Sequence, residues 1–298
     1  METMKSNKAI EKDIQHYLRE LSAALHNQDL SLVQDAKFDA ESHFRAALLE
    51  TSNKANPMPD IIQDYGTPQV IAQHYCDMEL TVDLAFHGRK EYRSKVQSDS
   101  IFSILKDTAA FKALIYYFIS FPLSMVYIAW VLLVGLSSAV ASLVLIGIPL
   151  FIFFINSMRY FSLFEGRLIE PLLGERMPHR PKILHNLSQF RSLKGVIALI
   201  KNRENWTSIL YLLLQLPLSL LYFTIFVLPA VFSILLFLSP VIDPLLNTIN
   251  PSLSIDINWY WLPISAPLSL IGLMLSLHAA KTIGKLHARF AKSMLVTI

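Results

Sequence analysis

The chain has 298 residues, of which 53% are hydrophobic and only 16% are charged. A soluble domain usually carries about a quarter charged residues, so this composition excludes an ordinary soluble globular protein. The formal net charge of +3 is too small to indicate direct nucleic acid binding. The single cysteine, Cys76, excludes an intrachain disulfide and any Cys-x-x-Cys metal or redox pair.

The N-terminal part carries most of the charge, because residues 1–110 are rich in Lys, Arg, Asp and Glu while the rest is mainly apolar. Its first residues are polar and contain no apolar run typical of a signal peptide. We therefore expect the N-terminus to stay in the cytoplasm. The chain divides into a cytosolic N-terminal domain, residues 1–80, a linker, residues 81–110, and a membrane domain, residues 111–298.

Helical periodicity is clear in the N-terminal domain. From Ala9 to Leu25 the apolar residues fall on one stripe of a helix. A second helix is predicted from about Leu30 to Leu49, with Lys37, Glu41 and Arg45 on its outer face and with an inner face made of Val33, Ala40, Phe44, Ala47 and Leu48. Residues 53–59, which contain two prolines, are predicted to form a loop.

Two shorter helices complete this domain. Asp60–Tyr65 is predicted to end at Gly66, after which Thr67 is a predicted N-cap and Pro68 the first residue of a fourth helix. Four helices over about 75 residues are enough to bury one modest core. The sequence therefore predicts a small helical bundle.

Three motifs of this bundle resemble the HAAS family over residues 8–80. They are Ile14-x-x-Tyr17-Leu18-x-x-Leu21, Glu41-x-His43-Phe44, and Ile61-Ile62-x-x-Tyr65-Gly66-Thr67-Pro68-x-x-Ile71-Ala72. HAAS domains are small helical signalling domains often encoded beside PadR-type regulators. The resemblance implies a cytosolic partner protein, such as a PadR-like regulator.

The linker has a basic cluster at residues 89–95 and then a short apolar face made by Ile101, Phe102, Ile104 and Leu105. This pattern fits an interfacial helix lying in lipid headgroups. An ordinary solvated linker that leads into a helix fits it equally well.

Four transmembrane helices are predicted, at about residues 113–134, 139–157, 209–238 and 260–280, each long enough to cross a hydrocarbon core of about 30 Å. Gly135–Ser138 is predicted to join the first two, and residues 158–206 to form a cytosolic loop. Lys and Arg number 13 through Lys112, 9 from Arg159 to Arg203 and 4 from Lys281, with none in the two other loops. By the positive-inside rule we expect both termini on the cytoplasmic side of a bacterial inner membrane.

The membrane domain also contains an internal repeat. A shift of 95 residues aligns the windows 103–130 and 198–225 with six identities, at Lys106, Tyr116, Pro122, Leu123, Ser124 and Tyr127. A shift of 118 aligns Pro149-Leu150 with Pro267-Leu268 and Gly166 with Gly284. We therefore expect an all-α membrane protein with two duplicated helical hairpins.

The membrane domain from Tyr116 to Leu295 resembles the family described as Putative sensor. The matching segments are residues 145–150 (Leu-Ile-Gly-Ile-Pro-Leu), Phe164-Glu-Gly-Arg-Leu168, Pro171-Leu-Leu-Gly174 and Trp206-x-x-x-x-Tyr211-x-x-x-x-x-Pro217-Leu. The family's four-helix membrane domains occur alone or ahead of histidine kinase modules. No kinase follows here, so the resemblance implies output through the N-terminal bundle or a partner protein.

No motif for an enzyme is present: we find no Gly-x-Ser-x-Gly, no phosphate-binding glycine loop and no His-Glu-x-x-His. We expect no catalytic residue, no cofactor and no metal site. The predicted spans contain no Asp, Glu, Lys or Arg, which argues against an ion-coupled transporter. Glu165, Arg167 and Glu170 are interpreted as part of a solvated amphipathic helix.

Repeated Tyr-to-Pro spacing marks a candidate pocket for a small apolar or amphipathic ligand, formed by Tyr116, Tyr127, Tyr211, Gln215 and Tyr222. Four prolines are candidate hinges, because a proline inside a helix frees a carbonyl: Pro122, Pro149, Pro217 and Pro267. Packing alone is the alternative role for these prolines.

The sequence thus favours a membrane-bound sensor, in contact with the lipid bilayer, that relays a membrane or envelope signal to a cytosolic regulator. The alternative is a non-catalytic accessory subunit of a membrane transport or envelope-stress complex.

Overall fold

The computed structural model describes residues 2–50, 57–87, 101–142, 148–180, 197, 200–249 and 259–296. These described residues are almost entirely helical and contain no strand, which confirms the all-α class. They form two compact units. The first takes residues 1–98, 177–187 and 296–298, and the second takes residues 99–176 and 188–295.

The described part of the first unit contains four helices: α1 (Glu2–Ala24), α2 (Leu30–Glu50), α3 (Met58–Tyr65) and α4 (Pro68–His87). Their predicted apolar faces meet in one core, whose fully buried members include Ile14, Leu21, Leu25, Ala40 and Phe44. Gly66 ends α3 at a φ of +113°, which favours glycine. The buried Tyr17 hydroxyl donates to the Gly66 carbonyl at 2.7 Å, so it fixes this turn against the core.

Some details of this unit differ from the prediction. Glu41, predicted on the outer face, is buried, and its carboxylate accepts two hydrogen bonds from Arg45 at 2.6 and 2.9 Å. A charged residue can therefore occupy the inner side of α2, because its partner lies one turn away. α3 starts at Met58, so Pro59 lies in a helix and not in the predicted loop, and α4 extends seven residues into the predicted linker.

The second unit begins with a 3₁₀ helix, Ile101–Lys106, over the short apolar face predicted in the linker. Its longer helices are α5 (Thr108–Trp130), α6 (Leu136–Ser142), α7 (Ile148–Leu173), α8 (Arg203–Tyr222), α9 (Leu228–Ile249) and α10 (Leu262–Leu295). A π-helical turn, Val131–Gly135, joins α5 to α6, and another, Phe223–Val227, joins α8 to α9. The basic cluster of residues 89–95 lies outside the described residues.

Three of these helical stretches are long and apolar enough to cross a membrane: Thr108–Ala141, Asn205–Ile249 and Trp259–Leu295. They contain the first, third and fourth predicted spans. The predicted second span, residues 139–157, falls partly on residues 143–147, which lie outside the described residues.

One predicted connection is wrong. Gly135–Ser138 was expected to be a loop, yet it is helical, and the hydroxyls of Ser137 and Ser138 donate to carbonyls one turn earlier. Intrahelical hydrogen bonds satisfy the backbone there, so they outweigh the weak helix propensity of Gly and Ser. The first part of the predicted cytosolic segment, residues 158–206, continues α7, which ends at Leu173, and the assignment of that segment to the cytoplasm stays a prediction.

Candidate functional site

Four helices of the second unit place polar side chains at one buried point. Each of these side chains has at most 2% of its surface exposed. We call this group the Glu165 cluster, and it consists of Tyr116, Ser120 and Tyr127 from α5, Glu165 from α7, Tyr211 and Gln215 from α8, and His287 from α10.

Helix periodicity explains how two of these helices present their polar groups together. Tyr116, Ser120 and Tyr127 are spaced at i, i+4 and i+11, so they share one face of α5. Tyr211 and Gln215 have the same first interval on α8. Large apolar residues on the opposite faces are exposed, such as Phe118 on α5 and Leu220 on α8, as expected for helix surfaces that contact lipid.

Both carboxyl oxygens of Glu165 are hydrogen-bonded. The Tyr116 hydroxyl lies 2.6 Å from Oε1, the Tyr127 hydroxyl lies 2.9 Å from Oε2, and the Gln215 amide donates to Oε1 at 2.9 Å. No lysine or arginine in the described part of the chain forms an ion pair with this carboxyl. Neutral donors therefore surround a buried acidic group, whose ionised form is costly in such a place.

Tyr116 links the carboxyl to a buried histidine. Its hydroxyl lies 2.8 Å from His287 Nε2, and Gln215 Nε2 lies 3.0 Å from the same hydroxyl. The Tyr211 hydroxyl lies 3.3 Å from His287 Nε2. A continuous hydrogen-bonded path thus runs from α7 through α5 to α10.

Two buried polar atoms of the cluster have no hydrogen-bond partner among the described residues, namely Gln215 Oε1 and His287 Nδ1. No group of three His, Cys, Asp or Glu side chains in the described ranges is close enough to hold a metal ion. The chemistry available here is hydrogen bonding and proton exchange, because the cluster contains one carboxyl, one imidazole and three phenols.

Residues 95–295, more than half of the chain, match the family described as Putative sensor. The chain belongs to the Putative sensor family. No curated protein and no solved structure matches it. The match confirms the membrane-domain resemblance, and the second unit, which contains the Glu165 cluster, is called the sensor domain from here on.

The sensor domain brings together four of the five residues predicted for a ligand pocket: Tyr116, Tyr127, Tyr211 and Gln215 all belong to the Glu165 cluster. Tyr222 is only half-buried and makes no hydrogen bond to Glu165, but its ring lies edge-on to His287 with centroids 5.4 Å apart. The ligand role of these five residues stays a prediction.

The candidate hinge prolines occupy two kinds of position. Pro122, Pro217 and Pro267 lie inside α5, α8 and α10. Pro149 is the second residue of α7, where a backbone N–H would have no intrahelical acceptor, so this proline interrupts no hydrogen bond. Their role as hinges also stays a prediction.

Sequence reasoning missed Glu165 and His287 as members of the cluster. Glu165 was interpreted as a solvated residue of a cytosolic loop, and that interpretation is wrong because the side chain is fully buried. The available signal was the apolar periodicity of Phe154, Met158 and Phe161, which continues on the same helical face to Glu165.

The first unit contains a second polar contact. It joins α2 to residues 179 and 180, which follow α7 in the sequence. The Asp35 carboxylate on α2 accepts hydrogen bonds from the backbone N–H groups of His179 and Arg180, at 3.0 and 2.9 Å. Gln34 donates to the Arg180 carbonyl at 3.1 Å, and Arg180 pairs with Asp39. We call this set the Asp35 contact.

Asp39 also connects α2 to α4. The Tyr75 hydroxyl donates to the Asp39 carboxylate at 2.9 Å. Burial raises the pKa of Tyr75, and the neighbouring negative charge of Asp39 raises that pKa further. Tyr75 therefore remains a neutral donor at physiological pH and holds α4 on α2.

Proposed function

We propose that this protein is a non-catalytic membrane sensor whose Glu165 cluster responds to a membrane or envelope signal and whose N-terminal bundle passes the response to a cytosolic regulator. The observation that carries this proposal is the complete burial of Glu165 with no ion pair to any described lysine or arginine. An ionisable group is costly in apolar surroundings, and where it is retained it usually serves function. Membership of the Putative sensor family supports the same role.

The relay has a short covalent route. α7 carries Glu165 and ends at Leu173, and only three residues separate it from Met177, the first of the segment held by the first unit. Met177 is 1% exposed, and the Asp35 contact binds His179 and Arg180 to α2. A displacement of α7 would therefore pull on the helical bundle through this segment.

We further propose that the sensor domain crosses the membrane four times, as two duplicated hairpins, with α7 as part of the second crossing. Two contacts support the duplication. Ser120 accepts from Gln215 at 2.7 Å and Ser124 lies 2.6 Å from Ser219, and each pair is separated by 95 positions. Equivalent residues of two repeats meet in this way when the repeats pack around a common axis.

The relay is tested by hydrogen exchange of the full-length protein in lipid nanodiscs. Glu165→Gln keeps the shape of the side chain but removes its acidic group, so we expect it to change the exchange protection of α2 and of residues 177–180. Glu170→Gln, on the same helix, is the matched control. Equal protection of α2 in the wild type and in Glu165→Gln would refute the relay.

The partner is tested by cross-linking and affinity purification from the native membrane. The resemblance to HAAS domains leads us to expect a DNA-binding regulator, such as a PadR-like protein, that is captured with the full-length chain and lost when residues 1–95 are removed. A membrane complex captured equally well by the truncated chain would instead support the second candidate, an accessory subunit of a transport or envelope-stress complex.

A further inference from the structure

We propose that Glu165, Tyr116 and His287 form a binding site for one exchangeable proton in the sensor domain. The site is held by three helices, α7, α5 and α10. The proposal of this proton site rests on the geometry of the Glu165 cluster and does not depend on the relay to the N-terminal bundle.

The first argument is a count of hydrogens. Tyr116 has one hydroxyl hydrogen, yet its oxygen lies 2.6 Å from Glu165 Oε1 and 2.8 Å from His287 Nε2. These distances leave room only for hydrogen between the heavy atoms. Tyr116 can donate to one of the two neighbours, so the other neighbour must carry a hydrogen and donate it to Tyr116.

Three protonation patterns satisfy both contacts while Glu165 Oε2 accepts its hydrogen bond from Tyr127. In the first, Glu165 is a neutral acid that donates to Tyr116, which donates to a neutral His287. In the second, Glu165 is a carboxylate, Tyr116 donates to it, and a doubly protonated His287 donates to Tyr116. In the third, Glu165 is a carboxylate and His287 is neutral with its hydrogen on Nε2.

The three patterns differ in the net charge that they place in the buried site. The third leaves a net negative charge on a fully buried group, because no cation among the described residues pairs with Glu165. An uncompensated buried charge is strongly unfavourable. The first and second patterns are neutral overall and differ only in where one proton lies along the path, so the site holds one proton more than the third pattern.

The groups that face the site do not supply another charge. α5 contributes the phenols of Tyr116 and Tyr127, α8 contributes those of Tyr211 and Tyr222, and α10 contributes His287. The ion pairs that the structure describes for lysines of α10 do not involve Glu165, since Lys281 pairs with Asp107 and Lys292 pairs with Glu175. The proton is therefore the cation that balances the Glu165 carboxyl group.

The consequence is a sensitivity to alkaline pH. At pH 7 an unfolded chain has an ionised glutamate and a mostly neutral histidine, whereas the folded site retains one proton. Stability falls with rising pH wherever the folded state binds more protons than the unfolded state. Folding thus takes up a proton here, and loss of that proton places a lone negative charge among four helices.

Infrared difference spectroscopy of the full-length protein, reconstituted with ¹³C-labelled glutamate, tests the proposal. We expect a protonated carboxyl band at pH 7 that is absent in Glu165→Gln and retained in Glu170→Gln. If the proton lies on the imidazole instead, ¹⁵N-histidine spectra will show both ring nitrogens of His287 protonated, and the signal will disappear in His287→Gln. Either result supports the site.

An ionised Glu165 together with a neutral His287 in the wild type at pH 7 overturns the proposal. This measurement of the two protonation states requires only the wild-type protein, so it tests the proposal even if Glu165→Gln does not fold. The two proposals fail separately. If the site holds no proton but Glu165→Gln still changes the exchange protection of α2, only the proton site is refuted. If the proton is present but Glu165→Gln leaves the protection of α2 unchanged, only the relay is refuted.

Discussion

Hydrogen bonds at both oxygens make the burial of Glu165 tolerable. Tyr127 is the donor to Oε2, at 2.9 Å, and its side chain has no exposed surface. A buried acceptor that loses its partner keeps the full cost of desolvation, whereas an exposed one regains water. Single hydroxyl groups therefore have measurable effects at this site.

Removing the Tyr127 hydroxyl tests this dependence. We expect Tyr127→Phe to lower the free energy of unfolding by about 1–3 kcal/mol, because Oε2 of Glu165 is left without its donor. Tyr160→Phe on α7 is the control, since that ring is 62% exposed, and its effect is expected to stay within about 0.5 kcal/mol. Unfolding midpoints in detergent compare the two variants, and equal midpoints would contradict the assignment.

At this scale the sequence predicted the tyrosines and the glutamine but not the acid and the histidine. Tyr116 and Tyr211 are identical at a shift of 95, and Gln215 takes the position equivalent to Ser120, so a repeat search points to this stretch of α8. Glu165 and His287 have no counterpart in the repeat and lie near basic residues, where a carboxylate or imidazole is usually solvated. Only the packing of α7 and α10 against the other helices makes them buried.

The π-helical turn between α5 and α6 is the element on which the fold departs most from the sequence-based expectation. Gly135 closes this turn, and a Cβ atom built there would lie 2.8 Å from the Phe154 ring of α7. Composition suggested a loop because Gly and Ser favour turns. The close approach of the Phe154 ring gives another reason for glycine at this position, and that reason requires the packed helices.

Substituting Gly135 should separate local propensity from packing. Alanine favours a helix by about 1 kcal/mol over glycine, whereas overpacking a well-filled contact costs about 1–3 kcal/mol. We expect Gly135→Ala to destabilise the protein, because Phe154 is 5% exposed and has little room to move.

The double variant Gly135→Ala/Phe154→Leu is the matched control, since the smaller side chain makes room for the new Cβ. Thermal unfolding in detergent should show that the double variant loses less stability than the sum of the two single variants. Additive losses would mean that the contact between Gly135 and Phe154 does not limit the packing of α5 and α7.

For the whole molecule, the number of membrane crossings decides which side each loop faces. Three described helices are apolar and long enough to cross, whereas the positive-inside count and the repeat favour four crossings. α7 carries Arg159, Glu165, Arg167 and Glu170, so it is less apolar than those three helices. Of these four, the Glu165 side chain is fully buried.

The two possibilities place the loops on opposite sides, so thiol labelling distinguishes them. In a Cys76→Ser background, Ser188→Cys marks the segment that precedes α8 in sequence and Ser252→Cys marks the segment that precedes α10. With four crossings and a cytosolic N-terminus, a membrane-impermeant reagent added to intact cells labels position 252 and not position 188. With three crossings the pattern reverses, because position 188 then lies outside and position 252 inside.

We expect the first pattern, in which position 252 is labelled. The nine Lys and Arg residues from Arg159 to Arg203 oppose translocation of the segment that contains Ser188. Labelling of both positions after the cells are opened is the control for accessibility.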